Sequence, residues 1–378
     1  MAGPTEGRDE RINDSVRAGL GWVGQMPKNE RPLSRMKALT LTAYNEFAFD
    51  DVPQPEAGAD EVLVRIKACG ICGSDVHGYD GTSGRRIPPV IMGHEASGEI
   101  AAVGAGVTGW KVGDRVTFDS TVYCGTCDYC QQGQVNLCTH RRVLGVSCGE
   151  YRQDGAFAEY VKIPARILFA LPDHLTYEQA AFCEPLSIAL HAVERVQPRP
   201  GDTALVIGAG VIGLLVLQVL KMKGCRRVFV SDLNEARLAI ALATGADEVF
   251  VPTACDVTGE MLLRTQGEGC DVTMECVGFG AAVRTAIDAV RKGGRVGLVG
   301  NLAATCDLPL QKVVTREISL HGSCASSGEY QAAVDALAQG LINTTPLLSA
   351  VAPLEEGGAW FDRLHAGREP LIKVILQP

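Results

Sequence analysis

From Thr203 to Leu320 the chain alternates two periodicities. Strand-like runs rich in β-branched residues fall at 203–207, 227–231, 248–251, 271–275, 295–299 and 317–321, and helical patterns fall near 211–223, 234–243, 256–266 and 281–291. Strands separated by helix-length connections pair in parallel, with the helices covering both faces of the sheet. Six such strands predict an α/β, doubly wound parallel sheet of the dinucleotide-binding kind. Few other folds accommodate this pattern.

One turn in this region carries chemistry. "TALVIGAGVIGLLVLQVLKMKGCRRVFVSD" places Gly208, Gly210 and Gly213 in G-x-G-x-x-G spacing after a strand and at the mouth of a helix. The first glycine permits the tight turn, the second lets the backbone approach a pyrophosphate, and the third lets helix pack on strand. The helix N-terminus, with Val211 and Ile212, offers free N–H groups to the anion. Asp232 ends the next strand, nineteen residues after Gly213, where a carboxylate accepts ribose hydroxyls. It would also repel a 2′-phosphate, so NAD is expected over NADP. Leu233 follows it, and Arg237, one helical turn on, is the residue that would argue for NADP.

A chain of 378 residues exceeds one ordinary core, so further domains are expected. Residues 1–35 are polar and interrupted by Pro27 and Pro32, and read as a poorly ordered extension with at most a short helix around Val16–Val23. From Met36, "MKALTLTAY", "EVLVRIKACGIC", and the glycine-punctuated run 90–118 suggest a small, bent β domain. "TYEQAAFCEPLSIALHAVERV" has helical spacing with a break expected at Pro185. A net charge of −9 argues against a nucleic-acid partner, and no apolar run approaches the roughly 20 residues that span a bilayer. With no secretory pattern at the N-terminus, a cytoplasmic protein is expected.

In a reducing compartment, clustered cysteines bind metal more readily than they form disulfides. "VYCGTCDYCQQGQVNLC" sets Cys124, Cys127, Cys130 and Cys138 at gaps of two, two and seven. Four thiolates suit tetrahedral Zn²⁺, and the long last gap followed by Thr139 departs from the iron–sulfur pattern. Four protein ligands leave no open position, so this zinc would be structural. Cys225, Cys255, Cys270, Cys276, Cys306 and Cys324 lie in or beside apolar stretches and read as packing residues. Three other segments hold ligand types: Cys69, Cys72, Ser74, Asp75 and His77 in "CGICGSDVH", His94 and Glu95 in "MGHEASG", and Cys183 and Glu184 in "AFCEPLS". Spacing alone does not join them. Cys69 and Cys72 could instead form a redox pair, although they follow a strand of the β domain and lack the βαβ context of that motif, and His94 and Glu95 could be ordinary core and surface groups.

Taken together, "GICGSDVH", "GHEASGEIAAVGAGVTGWKVGDRV", the four cysteines, "CEPLSIALHAV" and "VIGAGVIGLLVLQVLK" resemble the zinc-dependent medium-chain dehydrogenase/reductase family. Within it, the sorbitol (polyol) and threonine dehydrogenase branch is the nearest likeness, over residues 36–378. The resemblance implies a β-rich GroES-like catalytic domain over 36–186 with a zinc lobe at 122–140. It also implies an NAD-binding Rossmann domain over 187–324 and a return to the catalytic domain over 325–378. It further implies two Zn²⁺ per chain and NAD, with Cys72, His94 and Glu184 on the catalytic zinc and Glu95 a ligand or an alternating one. Glu184 is chosen over Cys183 because "EPLS" follows the polyol pattern, and Cys69 becomes a packing residue.

The reaction so implied is reversible oxidation of a secondary alcohol to a ketone, with hydride passing to the nicotinamide and Ser74 handing the proton towards His77. A polyol is the expected substrate, with threonine-like or butanediol-like alcohols as alternatives and a non-catalytic NAD-binding protein as the different class. Ala325-Ser326 stand where mammalian polyol enzymes carry an arginine–tyrosine pair, and Glu329 is similar to a glutamate of threonine-type enzymes. Arg85 and Arg86 read as solvated loop arginines, with contact to an anionic substrate as the other reading. A homotetramer or homodimer is expected, with "GGRVGLVGNLAATCDLPL" presenting an edge strand.

Overall fold

The computed structural model describes residues 34–378. The expectations for residues 1–33, including a helix at Val16–Val23, lie outside the described residues.

The predicted alternation folds as a six-stranded parallel sheet. Its spatial order is Glu248–Phe250, Arg227–Ser231, Thr203–Ile207, Cys270–Glu275, Val290–Leu298 and Ser319–Gly322. Thr203–Ile207 is central, and the chain runs outward to one side and then crosses to the other, so the switch point lies between Thr203–Ile207 and Cys270–Glu275. In sheets of this kind ligands bind beyond the carboxyl ends of the strands at that point. The connecting helices are Val211–Met222, Glu235–Ala243, Val257–Arg264 and Gly280–Ala289, with a further short helix Leu310–Thr315. Leu205, Val206, Phe229, Val272 and Met274 are wholly buried, as expected of strands covered on both faces.

A second, seven-stranded sheet is mostly antiparallel. Its path runs Leu168–Ala170, Arg115–Phe118, Glu95–Val103, Glu61–Gly70, Lys373–Gln377 and Leu348–Pro353, with Tyr160–Pro164 also pairing on Glu61–Gly70. The chain's last strand thus inserts beside one of its first: Ile375 faces Gly70 and Leu376 faces Cys69. A three-stranded sheet of Glu46–Pro53, Arg35–Ala43 and Val90–Ile91 completes the β-rich part.

Three expectations are corrected. The helical stretch near 177 divides into Tyr177–Ala180 and Cys183–Val196, and the break falls at Ala181–Phe182 rather than at Pro185. Pro185 sits in the first turn of the second helix, where no intrahelical N–H bond is lost. Val290–Leu298 is not an edge strand, because Ser319–Gly322 pairs along its outer side and takes the edge. Cys306 and Cys324 are exposed rather than packed, whereas Cys225 and Cys270 are buried.

Candidate functional site

The four lobe cysteines converge, their sulfurs all within 4.8 Å of one another. Cys124 and Cys130 sulfurs stand 3.9 Å apart and Cys127 and Cys130 3.5 Å, close to the roughly 3.8 Å edge of a tetrahedron with Zn–S bonds of about 2.3 Å. Backbone N–H groups of Thr126 and Cys127 donate to Cys124 Sγ at 3.4 Å, and that of Cys124 donates to Cys138 Sγ at 3.3 Å. The Thr126 amide first among these pulls the Cys124 thiol down to about 5. Donors aimed at thiolates suit a cation at the centre. The donor set fits zinc.

The second group is assembled by strand pairing. Gly70 stands opposite Glu95 in the antiparallel pair Glu61–Gly70 and Glu95–Val103. The chain leaving at Cys72 and the chain entering at His94 therefore meet at one sheet end. A side chain at Gly70 would crowd Glu95 Oε2, so glycine leaves the carboxylate its place there. Ligand atoms of Cys72, His94 and Glu95 lie within 4.8 Å of one another. Glu184 falls outside that spacing. It is nonetheless buried at the start of helix Cys183–Val196, where Ser120 Oγ donates to its Oε1 at 3.0 Å and its Oε2 has no partner. Burial pushes its carboxyl up to about 7 against the pull of His94. An orphaned buried oxygen on a carboxyl that feels the charges of His94 and Glu95 is a costly arrangement without a cation. Cys183 and Cys69 are wholly buried, and burial pushes both thiols up.

Two groups orient this cluster, Asp75, which the sequence offered only as a ligand type, and Lys373, which it did not single out. Asp75 accepts from the Cys72 N–H at 3.2 Å, fixing the turn into helix Gly73–Tyr79, and its Oδ1 lies 3.4 Å from His94 Nδ1. With Nδ1 facing a carboxylate, Nε2 is left for a metal. Although burial favours a neutral ring, Asp75 holds His94 well above the usual range. Arg86 corrects the reading of a solvated loop arginine: it is buried, with Nη2 2.9 Å from Asp75 Oδ1. Lys373 is the other, paired with Glu95 in the interior. Ser74 and His77 are exposed on Gly73–Tyr79, three residues apart and so on one face. Ser74 Oγ lies 3.3 Å from Cys72 Sγ.

The glycine turn has the geometry its spacing predicts. Gly208 has φ +98°, Gly210 caps helix Val211–Met222, and a side chain on Gly213 would overlap the Gly208 carbonyl oxygen. Asp232 accepts from the Ala209 N–H at 2.6 Å and the Asn234 N–H at 2.8 Å, which ties the strand tip to the turn. Arg237 lies half-buried in the first turn of Glu235–Ala243, its Nε without a partner.

Comparison with known proteins agrees with this organisation. Residues 58–173 match the alcohol dehydrogenase GroES-like domain and residues 211–339 match the zinc-binding dehydrogenase model. The chain is similar to a sorbitol dehydrogenase of Bacillus subtilis (strain 168), with 35% identity over 91% of this chain and 97% of that protein. It is also similar to a D-arabitol-phosphate dehydrogenase of Enterococcus avium, with 37% identity over 90% and 97%. Among solved structures, a zinc-binding dehydrogenase from Sinorhizobium meliloti 1021 bound to NADP superposes with a TM-score of 0.84 and 32% identity, covering 91% of this chain and all of that one.

Proposed function

Because the chain belongs to the zinc-binding medium-chain dehydrogenase family, we propose that it oxidises a secondary hydroxyl of a polyol to a ketone and passes the hydride to NAD. The observation that carries this reading is the convergence of Cys72, His94 and Glu95, with the buried Glu184 carboxyl interacting electrostatically with His94 and Glu95 and keeping one oxygen unpartnered. Cys72, His94 and Glu184 would hold the catalytic zinc, with Glu95 beside them, and the four lobe cysteines would hold the structural one. When bound, the catalytic metal supplies the Lewis acidity that makes an alcohol proton labile at neutral pH.

The chain's own groups do the rest. Asp75 lies against the His94 ring, and Lys373 pairs with the Glu95 carboxylate in the interior. Ser74 Oγ, beside Cys72, would accept the alcohol proton as it releases its own, and His77 on the same helix face would receive that released proton and pass it towards solvent. Gly208, Gly210 and Gly213 let the backbone of the turn approach the cofactor pyrophosphate at the N-terminus of Val211–Met222. Asp232 would receive the adenosine ribose hydroxyls and disfavour a 2′-phosphate, which supports NAD; Arg237 is the group NADP would use.

A neutral polyol is favoured over an anionic substrate by one observation. Arg86 is buried against Asp75, with Nη2 also 3.4 Å from Ser74 Oγ, which leaves the exposed Arg85 as the member of that pair not bound in the interior. The sorbitol dehydrogenase likeness supports the same class.

Among the described residues, no helix is long and apolar enough to cross a membrane, and a cytoplasmic site of action is proposed. A homodimer or homotetramer is proposed through the edge strand Ser319–Gly322, with the exposed Leu310 and Val314 nearby in sequence. A panel of polyols, diols, threonine and simple alcohols followed by NADH absorbance tests the reaction. Turnover of secondary polyol hydroxyls with NAD is expected, and turnover confined to threonine, or dependent on NADP, would overturn the assignment.

A further inference from the structure

Outside the candidate metal and dinucleotide sites, a partly buried polar chain joins the cysteine lobe to the stretch that follows strand Ser319–Gly322. Asn136, two residues before Cys138, is buried, and its amide nitrogen donates to Cys324 O at 2.9 Å and lies 3.4 Å from His191 Nε2. On the other side of the ring, His191 Nδ1 is 2.8 Å from Glu329 Oε1. A carboxylate only accepts, so Nδ1 carries the proton, and Nε2 of the neutral ring is the acceptor that the Asn136 N–H meets. Glu329 Oε2 in turn accepts from Ser327 N at 2.6 Å, and Ser327 Oγ donates to Gly133 O of the lobe at 2.8 Å. Arg141 donates to Asn136 O at 2.8 Å and lies 3.4 Å from Cys324 Sγ.

The stretch held in this way has an uncommon backbone. Ala325 has φ +53° and Gly328 φ +106°. A residue with a side chain stays in the left-handed region only where its surroundings impose it, and such positions gather at functional sites. The location fits. His191 lies seven residues from Glu184 on helix Cys183–Val196 and so shares its face. Tyr330, directly after Glu329, is buried with its hydroxyl 3.2 Å from Thr117 Oγ1. Thr117 pairs with Ser97, two residues from Glu95. The Glu329 charge also acts on Asp119, the neighbour of the Ser120 that donates to Glu184.

We propose that the cysteine lobe, acting through Asn136 and the His191–Glu329 pair, holds residues 324–329 in place as one wall of the alcohol pocket. Asn136, His191 and Glu329 are positioning residues in this account, which rests on the reading that the alcohol reacts at the Cys72–His94–Glu184 cluster. The lobe then shapes substrate binding while standing apart from the chemistry.

The test uses the full-length, zinc-loaded protein with Asn136→Ala, His191→Ala and His191→Asn, whose amide nitrogen replaces Nδ1 as the donor to Glu329. Amide hydrogen exchange of peptides covering 323–330 should quicken about tenfold in the two alanine variants, and the KM for the alcohol should rise about tenfold, the worth of a lost buried hydrogen bond. The KM for NAD and the zinc content should stay at wild-type values, and His191→Asn should restore the alcohol KM. Unchanged exchange overturns the clasp, and faster exchange with an unchanged alcohol KM overturns the pocket wall. Should the wild-type protein turn over no alcohol at all, the reaction reading fails, and exchange alone still decides whether the lobe holds the segment.

Discussion

Lys373 closes an ion pair with Glu95 across 278 positions of sequence, and the two side chains are only 3% and 2% exposed. The same ammonium donates to Ile71 O at 3.0 Å, one residue before Cys72. Although burial opposes the charged form, Glu95 raises the Lys373 pKa and keeps the ammonium charged. Taking away one partner strands the other in the interior. Lys373→Met should therefore lower stability by about 3–5 kcal/mol, seen as a fall in the urea midpoint. The double variant Lys373→Met/Glu95→Leu should recover most of that loss, since an apolar pair carries no uncompensated charge. A single variant as resistant to urea as wild type would show the pair to be energetically idle.

Cys183 and Glu184 are adjacent in sequence and differ in what surrounds them. The Cys183 sulfur is buried with burial alone acting on it, whereas Glu184 keeps an unpartnered oxygen near His94 and Glu95. Glu184→Ala should bring bound zinc from about two to about one per chain, measured by elemental analysis after dialysis, while Cys183→Ala should keep both. The reverse pattern would transfer the ligand role to Cys183.

The parallel sheet was legible because its signals are local: each strand and helix shows its own period, and the right-handed crossover leaves few ways to join them. The residue types of the metal cluster were legible too, but not their meeting. That depends on Gly70 pairing with Glu95 and on the last strand returning beside Glu61–Gly70, and neither pairing leaves a periodicity in sequence. Arg86 looked like a loop residue because its partner Asp75 is recognisable only once the helix Gly73–Tyr79 is placed. Lys373 did leave a trace, as the one charge inside the apolar run "PLIKVILQ". A lysine there needs a buried partner, and the sequence does not say which. Pro185 misled because a breaker signal takes no account of its position within a helix.

The glycines of the dinucleotide turn separate binding from folding. A side chain at Gly210 would meet nothing within 4 Å, whereas one at Gly213 would overlap the Gly208 carbonyl oxygen. Gly210→Ala should leave the urea midpoint nearly unchanged, with a cost within about 1 kcal/mol at this helix cap. It should weaken NADH binding about tenfold or more, because the methyl stands where the backbone must approach phosphate. Gly213→Ala should instead lower stability by about 1–3 kcal/mol by forcing helix and strand apart. Fluorescence titration with NADH and urea unfolding read the two effects. Equal NADH affinity in Gly210→Ala and wild type would remove the pyrophosphate from this turn.

Asp271 ties the far end of the same sheet, accepting from the Thr203 N–H at 2.9 Å and from Arg291 Nε at 2.7 Å. Burial pushes its carboxyl up, but the Thr203 amide and the Arg291 guanidinium outweigh it and hold the pKa below the usual value. A carboxyl depressed in the folded protein stabilises it wherever the unfolded chain is also ionised, above about pH 4. That contribution drains away as pH falls through the folded value, because the native state then takes up the proton the unfolded chain already holds. Asp271→Asn keeps an oxygen for Thr203 but has no charge to lose. Wild type should therefore be the more stable at pH 7, and urea midpoints of the two proteins should draw together as the pH falls below about 4. A gap of constant size across that range would mean that the charge on Asp271 contributes nothing to the fold.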